Sequence, residues 1–137
     1  MSTRNFQEAG ETNVQRFPAK GSVTVFAFGE IIMLDATGFG VRGSTAVGQL
    51  PAGVCKRQLS TVGAADGDLN VEAVYGGDYV EVDNSTGLDA VLLTDRNQPV
   101  YTLDANAVSR LSAGKSKLGV FKGFSANGRV RVQILPN

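Results

Sequence analysis

Histidine and tryptophan are absent from this 137-residue chain, and cysteine occurs once, at Cys55. Without histidine there is no Ser-His-Asp triad, no Cys-His nucleophile pair and no histidine-containing zinc site. A single cysteine permits neither an internal disulfide nor a two-cysteine metal site. Net charge is missing too, because 13 Lys and Arg balance 13 Asp and Glu. That balance leaves no electrostatic signature for nucleic acid or an anionic membrane. Long apolar runs are also lacking. The most apolar stretch, Val23 to Leu34, is interrupted by Gly29 and Glu30 and is too short to span a bilayer. Residues 1–21 are polar and mixed in charge, unlike a secretory leader. These absences mostly remove enzymes and say little about what the chain does.

Glycine, by contrast, is abundant, with 17 residues against an average near 7%. Many turns and few helices follow. A chain of this length buries enough surface for one domain with a real core. Residues 1–21 read as an extended N-terminal arm, with sparse apolar residues (Phe6, Val14, Phe17) and breakers at Gly10 and Pro18. Such an arm either stays disordered or folds against a partner, with Phe6 and Phe17 as anchors and Arg16 between them.

From residue 22 the apolar period becomes two, which marks half-buried strands. Strands are expected over 22–28, 30–36, 54–62, 69–75, 79–83, 89–94, 100–103, 117–124 and 129–135. The run 30–36 is apolar at consecutive positions and needs burial on both sides. Gly76-Gly77-Asp78 reads as the turn of the best hairpin, joining 69–75 to 79–83. Asn127-Gly128 is a second strong hairpin signal. The only helical candidate is 105–111. The fold class is therefore all-β, a small antiparallel barrel or sandwich over 22–137 behind the N-terminal arm.

Several motifs look chemical. Gly38-Phe39-Gly40-Val41-Arg42-Gly43 fits GxGxxG, but the next ten residues contain Gly48, Pro51 and Gly53 and cannot form the helix that a dinucleotide site needs. A mobile glycine loop is expected instead, with Phe39 and Arg42 free for contacts. Gly114-Lys115-Ser116 matches the end of a P-loop but lacks its earlier glycine, since Ser109 stands there. Asp66, Asp68 and Asn70 share calcium-loop spacing without the bending glycine or closing glutamate. Glu72, Glu81 and Asp83 face outward, where nothing raises a carboxyl pKa for acid–base work. Asn84-Ser85-Thr86 fits a glycosylation sequon and reads as a loop. Arg129 and Arg131 alternate on a wet strand face. No catalytic residue, metal site or cofactor is assigned.

The second half carries a resemblance. Pro99-Val100-Tyr101 with Leu103-Asp104, then Lys117-Leu118-Gly119-Val120, then Gly128-Arg129-Val130-Arg131-Val132 follow the order and spacing of the small head-decoration, or capsid cement, proteins of tailed bacteriophages. Ala64 to Val74, with Gly67-Asp68 before a Val-rich strand, is similar to that family's middle part. The resemblance covers about residues 54–135. It implies a structural virion protein on the outer capsid surface, made in the host cytoplasm, that bridges major capsid protein subunits as a homotrimer. It implies no enzyme activity, no cofactor, and no nucleic-acid or membrane partner. Contacts with the capsid or a neighbouring copy are then expected at Phe6, Arg16, Phe17, Phe39 and Arg42. Other readings are a tail-tube, baseplate or head-completion protein, a receptor- or carbohydrate-binding β module, and a carboxylate enzyme using Asp66, Asp68 and Asp78.

Overall fold

The computed structural model describes residues 13–22, 25–75 and 79–134. Its strands are β1 (Asn13–Pro18), β2 (Ile31–Leu34), β3 (Gly40–Arg42), β4 (Leu50–Cys55), β5 (Asn70–Tyr75), β6 (Val80–Asn84), β7 (Pro99–Thr102), β8 (Ala107–Ser109), β9 (Lys117–Phe124) and β10 (Val130–Gln133). Two short 3₁₀ turns, Gly87–Asp89 and Leu93–Asp95, lie between β6 and β7. The expected all-β class is what the chain forms.

The strands divide into two sets. A five-stranded barrel closes in the order β9-β10-β6-β8-β7, and a five-stranded antiparallel sheet has the order β1-β5-β4-β2-β3. The outer strands of that sheet curl toward each other, and Ala19 bridges Gly40. Alternation builds the barrel core: Val80 and Val82 of β6 point inward with Val130 and Val132 of β10. Their outward neighbours form ion pairs across the same two strands, Arg131 with Glu81 at 3.6 Å and Arg129 with Asp83 at 3.2 Å. The Arg131 guanidinium also lies over the Tyr79 ring. The arginines of the wet face thus have partners within the chain.

Strand β2 joins the two sets. All four of its residues are buried. Ile31 and Met33 face the barrel core with Val100, Leu118 and Phe121. Ile32 and Leu34 face a second core with Phe26, Cys55, Val71 and Ala73. The two-sided burial expected for this run is present, and it holds the barrel against the sheet.

Several expected elements take other forms. Residues 69–75 and 79–83 are strands, but they are not a hairpin. β5 pairs with β1 and β4, whereas β6 pairs with β10 and, in parallel, with β8. A turn sequence permits reversal but does not choose a partner, and each strand here finds a better-matched apolar face elsewhere. The turn Gly76-Gly77-Asp78 itself lies outside the described residues. The helix expected at 105–111 is replaced by β8, because three consecutive buried residues close the barrel between β6 and β7. The strand expected over 89–94 gives way to the 3₁₀ turns. In 22–28 the described residues contribute only a single bridge, Phe26 to Leu59, and the strand expected at 54–62 ends at Cys55.

The Asn127-Gly128 hairpin does form, between β9 and β10. Gly128 alone takes a positive φ there (80°), with its amide bonded to Ser125 O and the Ser125 amide to Arg129 O. This is a three-residue loop with glycine at the left-handed position. In β9 the buried face shifts phase at Leu118–Gly119, where pairing with β7 is irregular. Such a bulge lets one strand serve two neighbours in a tightly curved barrel.

Candidate functional site

Of the five expected contact residues, Phe6 lies outside the described residues. Residues 13–18 of the expected arm are extended, but they are the sheet strand β1, in register with β5 from Asn13↔Tyr75 to Pro18↔Asn70. Arg16 is exposed on that strand, and its Nε donates to Glu72 Oε2 at 3.0 Å. Glu72 also faces Arg57 at 3.7 Å, so two guanidiniums share one carboxylate. Phe17 is half-buried against the second core. Phe39 is half-buried too, with Lys20 Nζ 6.0 Å above its ring.

Arg42 is not free for contacts in the way its glycine-rich setting suggests. The segment is not a mobile loop: Gly38 (φ 90°) closes a tight turn, and Gly40–Arg42 is strand β3. A side chain at Gly40 would strike Val71 Cγ1, and one at Gly43 would strike Asp104 O. The glycine spacing therefore serves a turn and two close approaches. The Arg42 guanidinium forks onto the buried Glu30 carboxylate through Nε–Oε1 and Nη2–Oε2. The Ala27 amide donates to the same carboxylate. Burial pushes the Glu30 carboxyl up, but the Arg42 fork, the Ala27 amide and the Arg42 charge together pull it below its ordinary value.

The other chemical-looking groups have structural partners. Asp66 accepts from the Gly21 amide at 2.8 Å and from Lys20 at 3.3 Å, and Asp68 accepts from the Ala65 amide. Asp35 caps the β2–β3 turn through Thr37 Oγ1 and the amides of Thr37 and Phe39, and those bonds lower its pKa. Ser116 is buried, donating to Ala46 O and accepting from Gln49 N. Burial pushes the Cys55 thiol up, which leaves it protonated and poorly nucleophilic at neutral pH. Among the described residues no three His, Cys, Asp or Glu side chains converge as metal ligands. Asp78 lies outside the described residues.

The sequence pattern did not reveal the exposed leucines of the segment between β6 and β7. Leu88 is 85% exposed, Leu93 67% and Leu92 48%, and Leu111, on the loop after β8, is 39% exposed. Neither 3₁₀ turn buries a residue. The backbone is nonetheless firmly held. The Asn84 side chain acts as a strand edge for Val91, with Val91 N donating to Oδ1 and Nδ2 donating to Val91 O. Val91 itself is buried. Asp89 accepts from Ser109 Oγ at 2.6 Å, and its backbone carbonyl accepts from the Arg110 amide. Asp95 accepts two bonds from Arg110, both at 3.0 Å. Lys115 completes the set 3.6 Å from Asp89. The Ser109 bond on Asp89 and the Arg110 fork on Asp95 hold both carboxyls below their usual range. The result is a segment whose leucines are exposed although its backbone is pinned, with Asp89 and Asp95 paired within the chain. Its one sequence signal is the adjacent pair Leu92-Leu93, which breaks strand alternation between Asp89 and Asp95.

Comparison with protein-family models, with curated proteins and with solved structures gives no match.

Proposed function

We propose that this chain is a structural virion protein that decorates the outside of a tailed-bacteriophage head, binding major capsid protein subunits and working as a homotrimer. The observation that carries the reading is the placement of the three strings that resemble decoration proteins. Pro99-Val100-Tyr101 lies in β7, Lys117–Val120 in β9 and Arg129–Val132 at β10, and these strands are neighbours in one barrel wall. Sequence likeness scattered over thirty residues therefore corresponds to one continuous piece of architecture.

The chemistry of the described carboxylates supports the same reading. The carboxylates of Glu30, Asp35, Asp66, Asp89 and Asp95 are held ionised by hydrogen-bond donors, which suits scaffolding and not proton transfer. Neutral overall charge lets many copies crowd on one shell without mutual repulsion. Several modest contacts linked through one trimer reach high avidity with no single tight interface.

The test is to mix the purified protein with undecorated heads and image the particles. Many copies at regular outer positions are expected. Density confined to a tail, a baseplate or a single vertex would assign the chain to another part of the virion, and no binding at all would remove the reading.

A further inference from the structure

We infer that residues 13–75 and 80–134 are two copies of one five-stranded unit, joined in tandem by duplication, and that an arginine–carboxylate clamp belongs to the unit in both copies. Among the described residues every strand pairing lies within one half, and the two halves pair alike. β1–β5, β5–β4, β4–β2 and β2–β3 are antiparallel. So are β6–β10, β10–β9, β9–β7 and β7–β8. In both halves the first strand meets the third in parallel, Ala19 with Gly40 and Asn84 with Val108. The registers coincide as well. Phe17↔Val71 corresponds to Val82↔Val130, and Cys55↔Ala73 to Phe121↔Val132. Ile32↔Gly53 corresponds to Val100↔Gly119, and Leu34↔Gly40 to Thr102↔Val108. Even the irregularity recurs in place. One extra buried residue, Ala52 or Leu118, falls where the fourth strand passes the second. Register is set by which residues face a core, and a bulge is a specific feature of its strand. Agreement at all of these positions is one plan used twice.

The turn leading into the second strand repeats too. The Glu30 amide donates to Ala27 O, and the Gln98 amide to Asp95 O. Gly29 (φ 84°) and Asn97 (φ 67°) hold the left-handed position, and their amides donate to Cys55 O and Phe121 O. The amides of Cys55 and Phe121 donate in return to Glu30 O and Gln98 O. Arg42 and Arg110 stand at the same place, one step past Met33↔Val41 and Tyr101↔Ser109. Each forks through Nε and Nη2 onto a carboxylate of its own turn. The carboxylate sits at opposite ends of that turn. It is Glu30, the last residue, in the first copy and Asp95, the first residue, in the second. Ala27 and Gln98 occupy the alternative places. The unit thus needs the clamp and not one particular residue to supply it. The copies also need each other, because Ile31 and Met33, turned away from their own core, are buried against the core of the second copy.

If the copies are equivalent, the clamp can be moved from one end of the turn to the other. In the full chain Asp95→Asn keeps the shape and the bond from the Leu92 amide but removes the charge that Arg110 holds. The melting temperature is expected to fall by roughly 2–6 °C. Adding Gln98→Glu supplies a carboxylate where the first copy carries Glu30, and most of the loss should return. The recovery has to run through Arg110, so Gln98→Glu should restore nothing once Arg110→Ala is also present. The first copy gives the reciprocal experiment. Glu30→Gln lowers the melting temperature, and Ala27→Asp on the same chain should restore it, again only while Arg42 is present. Both starting variants are isosteric, so the fold is kept in each. Absence of recovery in either copy, or recovery that persists without the arginine, would overturn the inference.

Discussion

Replacing Arg42 with alanine would strand the Glu30 carboxylate. Glu30 has a side chain only 10% exposed, while Arg42 is 47% exposed. Removing one partner of a fully buried pair costs about 3–5 kcal/mol, and an exposed pair contributes about 0–1. Half-exposure of the guanidinium lets water replace part of the lost interaction. The intermediate value, about 2 kcal/mol, also matches a hydrogen bond to a charged group. Spread over the unfolding entropy of a chain this size, it lowers Tm by roughly 6–8 °C. Arg42→Lys keeps the charge but not the fork and should fall between. The pH dependence is the sharper measurement. The folded-state pKa of Glu30 lies below its ordinary value of 4.5, so the pair's stabilisation is present above that value and is lost as pH falls through the depressed one. In Arg42→Ala only the Ala27 amide still opposes burial, so the carboxyl pKa rises relative to wild type, and the variant's deficit is largest at neutral pH and shrinks once Glu30 is protonated. Urea unfolding at pH 7 and pH 3 should show the gap between wild type and variant shrinking in acid. A gap under about 0.5 kcal/mol, or one that does not change with pH, would refute the reasoning.

The remaining predictions concern packing and the N-terminal strand. At Gly119 an added Cβ would meet Gln133 O and Val132 Cγ1 of the facing strand, so Gly119→Ala should cost about 1–3 kcal/mol, visible as a lower urea midpoint. Asn84→Ala removes the clamp on Val91, and a stability loss of about 1–2 kcal/mol is expected, with amide exchange at Val91 speeding up more than in the barrel strands. Deleting residues 1–20 would strip β1 and the buried Ala19 from the second sheet, so a lower melting temperature is expected. An unchanged one would show that β1 is dispensable.

Local signals sufficed wherever one residue's neighbours in sequence decide its surroundings. The alternation at 130–133 identified β10 and its dry face, and the apolar run at 31–34 demanded cover on both sides. Gly128 closed the β9–β10 turn because only the loop's own geometry was at issue. The weakness of the GxGxxG reading was also visible, since no helix could follow Gly43. Of the candidate surface, Arg16, Phe17, Phe39 and Arg42 were singled out as side chains, but their partners were not visible. Arg42 and Glu30 are twelve positions apart, and Arg16 and Glu72 are fifty-six apart. The exposed leucines were missed because Leu92 and Leu93 fell within the strand expected over 89–94, and their exposure follows only once Asn84, Ser109 and Arg110 pin the segment.

By itself, then, the sequence determined that this chain is built of short strands and tight glycine turns, because burial period and positive-φ tolerance are properties of neighbouring residues. Only the tertiary structure decided that β5 and β6, adjacent in sequence, go into different sheets, that residues 107–109 close a barrel, and which leucines stay uncovered. Strand pairing and exposure depend on which distant apolar faces fit together, and that fit exists only once the chain has folded.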